Sequence, residues 1–246
     1  MFPIRDHNPS SRTPYVTYGL IAVNVLVFLG YWSLLSDPRA LQRFFYDWGL
    51  IPAAISQGAL LHGLVTSMFL HASLVHLGGN MLFLFIFGDN LEDELGHLRF
   101  LGFYLASGIA AALVQYFADP GSMVPTVGAS GAIAGVMGGY LLMFPRARVD
   151  VLFIFVIFFR VFALPAWIML GVWFALQLLG GAAAEANAGG VAYWAHAGGF
   201  VAGVGLMLPL WLARGGPAYW RRTHGRPSHP EARYRRTTIP RVRRPR

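Results

Sequence analysis

Read for its hydrophobic and polar positions, the chain is a series of long apolar runs set apart by short polar punctuation. The first run, Tyr15 to Leu35, exceeds the apolar core of a signal peptide and lacks a convincing cleavage site, so it predicts an uncleaved first helix. A second helix is predicted over Ala72–Leu95, closing on an acidic stretch before Gly96, and a third over Arg99–Ala118. The fourth, Gly128–Phe144, is stopped by Pro145 and the basic Arg146 and Arg148. The fifth starts near Leu164 and Pro165, with proline at a tolerated first-turn position, and runs to Leu179. The sixth covers Ala195–Ala213, with Pro209 set to bend its far end. Most of these runs come close to the ~20 apolar residues that a helix needs to cross a bilayer core.

Three stretches break the pattern. Ser36 to His71 mixes polar and aromatic residues and predicts short helices at the membrane surface. Val149–Phe159 is apolar but is interrupted by Arg160, and predicts an interfacial segment. Gly180–Trp194 is rich in Gly and Ala and predicts a flexible loop, placed to act as a lid.

Composition agrees with this pattern. Of 246 residues 56% are hydrophobic and 12% charged, about half the ~25% charged content of soluble domains. The mean hydropathy is +0.52. The fold class is therefore an all-α polytopic membrane protein with six transmembrane helices over residues 16–213. It lies between an N-terminal tail, 1–15, and an Arg-rich tail, 214–246, of disordered composition. The absence of cysteine excludes a disulfide framework and a thiolate metal site, and no cofactor or metal is expected.

Charge sets the orientation. All 19 basic residues are Arg, and the net charge is +8. Six spans put both termini on one side, with Arg5, Arg12, Arg99, Arg146, Arg148, Arg160 and the tail, against Arg39 and Arg43 on the other. By the positive-inside rule both termini are cytoplasmic, and the expectation is a multi-pass protein of a cell (inner) membrane whose site opens to the outer side. The tail reads as a topology signal beside membrane lipids; no nucleic-acid partner is expected.

This topology gathers polar groups at one depth. The second, fourth and sixth helices all begin on the outer side, bringing His71, His76 and Asn80, then Ser130, then His196 to that end. Singly, each has a plain structural reading: a small packing residue, a helix cap, or a hydrogen-bonded pair four residues apart. Together they have the parts of nucleophilic catalysis: a hydroxyl in Ser130, a base in His196, and oxyanion donors in His76, Asn80 and the Ser130 backbone N–H. Gly131 with Gly135, and Gly199 with Gly203, have the spacing that lets helix backbones approach closely. None of the eleven acidic residues lies inside an apolar span at this depth. Asp119 and Glu185 lie in outward loops and stay open as partners, though neither is placed like the acid of a triad, so something else is expected to fix the His196 tautomer.

The motifs GASG at 128–131, HASLVH with Asn80 four residues after His76, and AHAGG at 195–199 resemble the rhomboid intramembrane serine proteases. The resemblance covers about residues 16–213 and includes the Glu94-Leu95-Gly96 step before the third helix. It implies a six-helix bundle with a water-filled cavity, Ser130 as nucleophile and His196 as general base and then acid. It implies an oxyanion hole from His76, Asn80 and the Ser130 N–H, and transmembrane segments of other proteins as substrates. The alternative is a catalytically inactive rhomboid-like protein that holds membrane clients; the presence of both Ser130 and His196 favours the protease. A transporter would carry midplane charges or repeated halves, and the sequence has neither. Two positions depart from the family pattern. Ala134 stands where an aromatic often stacks on the histidine, and His62-Gly63 stands where a Trp-Arg pair often anchors the first loop.

Overall fold

In a computed structural model, residues 2–155, 158–184 and 190–227 are described. Strand β1 is Phe2–Asp6 and helix α1 Tyr15–Gly30, followed by a 3₁₀ turn over Trp32–Ser36. The next segment holds α2 (Pro38–Trp48), α3 (Pro52–Ser56), α4 (Gly63–Thr66) and a 3₁₀ turn, Ser67–Phe69. Then follow α5 (Leu74–Leu95), α6 (His97–Ala118) and α7 (Ser130–Met143). Strands β2 (Arg148–Phe155) and β3 (Phe158–Pro165) lead into α8 (Ala166–Ala183), α9 (Tyr193–Ala213) and α10 (Pro217–Thr223).

The six expected apolar helices are α1 and α5 to α9. Four of them, α5, α6, α8 and α9, are long and apolar enough to cross a membrane, whereas α1 and α7 are shorter, at 16 and 14 residues. Fourteen residues span about 21 Å, against a hydrocarbon core of about 30 Å. Helix α7 can be this short because it is enclosed: every residue from Gly131 to Tyr140 is buried. Its partners are α9, α6 and α5. A helix this short need not reach both surfaces of the bilayer, and the space over its N-terminal end is a cavity.

Helix starts follow local chemistry. Ser73 caps α5 by accepting from the His76 N–H at 3.1 Å. Asp37 caps α2, with Pro38 in the first turn. Helix α1 has no cap of its own. The Glu92 carboxylate, 2% exposed, accepts from the N–H groups of Val16 and Thr17 at 2.8 and 2.7 Å, where a helix dipole favours an anion. Asp93 accepts from Ser11, and Glu94 pairs with Arg214 just past α9. The acidic end of α5 thus ties together the chain entering α1 and the chain leaving α9.

The segment expected to lie in the interface is a β-hairpin. Val149–Phe159 is rich in β-branched and aromatic residues, which favour strands, and β1 pairs with β2 to complete a sheet of order β1-β2-β3. Asp150 on β2 accepts from Arg5 Nε at 2.7 Å and lies 2.8 Å from His7 Nε2. The sequence offers no sign of this pairing because its partners lie more than 140 positions apart. Two further boundaries differ from expectation. Helix α8 continues through Gly180–Ala183, the start of the expected lid, and α10 occupies part of the Arg-rich tail. Residues 185–189 of that loop and 228–246 of the tail lie outside the described residues.

Candidate active site

A cavity of about 910 Å³ opens over the N-terminal ends of α5, α7 and α9 and is closed at its sides by residues from Ser122–Val127 and Gly190–Trp194. His76, Asn80, Ser130 and His196 all line it. His71 does not: it is fully buried, its backbone bonded to the Tyr31 hydroxyl and its ring edge-on to His76 with centroids 5.1 Å apart. Burial, and then the neighbouring His76, lower the His71 pKa to about 3, so that ring stays neutral.

Close helix contact brings the serine and the histidine together. A Cβ on Gly199 would run into the carbonyl of Gly131, and one on Gly203 into the carbonyl of Gly135. Helices α7 and α9 therefore meet backbone to backbone along the two small-residue faces. Gln115 on α6 accepts from the Ala195 N–H at 3.1 Å and holds the first turn of α9. In this arrangement His196 Nε2 lies 2.7 Å from Ser130 Oγ.

The other histidine nitrogen has a partner that sequence reasoning missed. His196 Nδ1 lies 2.8 Å from Gln177 Oε1. The Gln177 amide donates through Nε2 to the Trp173 carbonyl at 3.1 Å, which orients its oxygen toward the ring. An amide oxygen only accepts, so the proton sits on Nδ1 and leaves Nε2 free to receive the serine proton. The Trp173 ring lies 5.8 Å from the His196 ring at 34°. Helix α8 thus supplies both the hydrogen bond and the ring that Ala134 does not. A signal was present: Gln177 is the one polar side chain in the apolar run of α8, and Trp173 is one turn away.

Polar groups of α5 and the turn into α7 surround Ser130. Gly128 has φ +136°, a conformation that side chains rarely adopt, and a Cβ there would meet the His76 ring at 2.9 Å. The His76 ring therefore lies directly over the turn into α7. The Ala72 N–H reaches His76 Nδ1 at 3.4 Å, which favours the proton on Nε2, the nitrogen that faces Gly128. Asn80 is 8% exposed, and its Nδ2 has no partner among the described residues. The Ser130 N–H belongs to the first turn of α7, where backbone donors lack partners within the helix. In the first loop, where the sequence lacks the Trp-Arg pair, His62 Nε2 donates to the Asp47 carbonyl at 2.7 Å and the ring stands edge-on to Trp48. No cluster of metal-ligating side chains occurs among the described residues.

Comparison with known proteins agrees with the motifs. The family model described as Rhomboid domain matches residues 59–213. The chain is 34% identical over 201 residues to "Rhomboid protein 1, mitochondrial" of Saccharomyces cerevisiae, covering 77% of this chain and 51% of that protein. It is 33% identical over 138 residues to the human "Presenilin-associated rhomboid-like protein, mitochondrial", covering 55% and 35%. A Bacillus subtilis protein, named as a candidate rhomboid protease, is 45% identical over 80 residues, covering 32% and 40%. The chain thus spans about half or less of the length of these relatives.

The comparisons correct one expectation. The yeast and human relatives, which match more than half of this chain, are named mitochondrial, and the placement in a cell membrane with cytoplasmic termini is not retained. The physical reason is plain: arginine asymmetry orients a chain within its membrane and carries no information about which membrane that is. A multi-pass membrane protein remains. With the domain match over most of the chain and its motifs gathered in one cavity, the protein belongs to the rhomboid family.

Proposed function

We propose that the protein is an intramembrane serine endopeptidase that cleaves transmembrane segments of other membrane proteins. The observation that carries this reading is the 2.7 Å approach of Ser130 Oγ to His196 Nε2 on the floor of a cavity within a membrane bundle. Ser130 attacks the scissile carbonyl as His196 takes its proton, and the tetrahedral oxyanion forms beside the Ser130 N–H, His76 and Asn80. His196 then protonates the leaving amine, and water entering through the cavity hydrolyses the acyl-enzyme. Gln177 acts as a positioning residue: it fixes the tautomer but, being neutral, adds no charge to offset the imidazolium. A substrate helix must unwind to present its amide, so Gly, Pro or polar residues are expected near the cut. Helix α8, which exposes Trp167, Val172, Leu176 and Leu179, is the side from which a substrate enters.

The test is reconstitution of the full chain in liposomes with a generic transmembrane substrate, comparing wild type with Ser130→Ala and His196→Ala. Cleavage by wild type alone, with fluorophosphonate labelling of Ser130, is the expected result. Equal cleavage by the Ser130→Ala protein would sink the mechanism, and capture of the substrate without cleavage by wild type would favour the client-holding alternative.

A further inference from the structure

A second cavity lies at the opposite end of the bundle from Ser130, where the chain leaves α7 and enters α8. Its volume is about 700 Å³, and it sits between the Pro145-Arg146 turn, Trp167 in the first turn of α8, and the end of α10 with Trp220, Arg221 and His224. Among the described residues, no acidic side chain lines it.

The walls are fixed by hydrogen bonds between segments distant in sequence. Arg146 N–H donates to the Gly225 carbonyl at 2.8 Å, and Trp167 N–H to the Pro145 carbonyl at 2.9 Å. Trp220 Nε1 donates to the Leu142 carbonyl at the end of α7, also at 2.9 Å, and its ring packs on Trp211 with centroids 4.8 Å apart. His224 and Gly225 turn the chain with φ of 56° and 66°, which brings Gly225 against Pro145.

Two arginines line this cavity. At the same end of the molecule Arg5 is paired with Asp150, Arg12 with Asp93 and Arg214 with Glu94. Among the described residues, Arg146 and Arg221 have no carboxylate or hydrogen-bond partner for their guanidinium groups, although both line the cavity. Trp167 beside them is 55% exposed. Exposed Trp at the end of a spanning helix marks headgroup depth, and paired Arg forks match the oxygens of a phosphate.

We propose that this cavity binds the phosphate of an anionic phospholipid from the leaflet that faces the chain termini, with Arg146 and Arg221 on the phosphate and Trp167 against the glycerol and upper acyl chain. The shared chemistry with free phosphate is the oxyanion; Trp167, an exposed aromatic beside the two arginines at the end of an apolar helix, favours the lipid source.

The test uses the full chain in neutral detergent and follows its unfolding temperature during titration with short-chain phosphatidylglycerol, short-chain phosphatidylcholine or inorganic phosphate. A saturable rise with phosphatidylglycerol alone is expected. Arg146→Gln and Arg221→Gln should each raise the half-saturating concentration about fivefold, and the double variant about 25-fold, at one arginine–headgroup attraction each. The pair Arg39→Gln and Arg43→Gln, on α2 at the other end, should leave the titration unchanged. An equal rise with phosphatidylcholine overturns the selectivity for anionic lipid, and an equal rise with inorganic phosphate overturns the lipid assignment. If the double variant does not fold, the single variants decide: unchanged titrations in both overturn the site.

Discussion

Gly128 and Gln177 have little latitude beside Ser130 and His196. At Gly128 an alanine would combine an unfavourable φ with a Cβ 2.9 Å from the His76 ring. Gly128→Ala should therefore displace His76 and cost up to the ~10²–10³-fold in rate typical of losing an oxyanion donor, while the bundle stays folded. Rate and unfolding temperature measured on the same sample would separate the two effects. At Gln177 the amide oxygen holds the Nδ1 proton of His196. Gln177→Leu should lose part of the ~10²–10⁴-fold that general acid–base catalysis supplies, with KM little changed. Gln177→Glu brings a negative charge that stabilises the imidazolium, so the acidic limb of the kcat/KM profile should move to higher pH. A profile identical to wild type would show that the amide does not act through the histidine. The sequence displayed Ser130, His196, His76 and Asn80 because each sits in a motif at a helix start. Gln177 belongs to no motif, and its meaning depends on which helix face turns toward α9, which a nearly uniform apolar run does not encode.

Between elements, the contact of α7 with α9 sets the distance from serine to histidine. Gly203→Ala pushes a methyl into the Gly135 carbonyl. It should cost about 1–3 kcal/mol as overpacking does, and lower activity without touching a catalytic group; thermal unfolding and cleavage would be read together. The strand β1 invites a test by pH. Burial, opposed by the hydrogen bond from Tyr140 and reinforced by the Asp89 charge, raises the Asp6 pKa to about 8. The folded state then holds a proton that the unfolded chain releases near its ordinary value of 3.8. The Asp6 contribution to docking of β1 is therefore full below that value and is lost as pH rises toward 8. Asp150 works in the opposite sense: burial alone would raise its pKa, but the bonds from His7 and Arg5 hold it below the ordinary value, so its contribution is lost only in acid. Amide exchange in the β1–β2 ladder, corrected for intrinsic rates, should quicken from about pH 6 to about pH 8.5 in wild type. It should change less in Asp6→Asn. The strands themselves were not legible in the sequence: an apolar run with one arginine fits an interfacial segment equally well, and only pairing with residues 2–6 decides.

At the scale of the whole molecule, the helical order and the polar end of the bundle could be read directly from hydrophobic periodicity and charge. The identity of the surrounding membrane could not, because different bilayers ask for overlapping apolar lengths. The bundle is unevenly bound. Helix α7 is buried on all sides, whereas α8 buries only Ala166, Met169, Leu170, Gln177 and Gly181. Truncating Met169 or Leu170 to alanine should loosen α8, easing substrate entry while weakening the hold on His196. The expected kinetic signature is a lower kcat together with a lower KM, whereas simple unfolding would lower the apparent kcat alone and leave the KM unchanged. In the proposed protease, the residue that holds the Nδ1 proton of the histidine thus rides on the helix beside which a substrate would pass. If α8 is the door of the proposed protease, door and latch are one part: the base would be disarmed while the helix stands aside and rearmed only on its return. An interlock of this kind would spare the lipids and water that reach the cavity between substrates from meeting an activated serine.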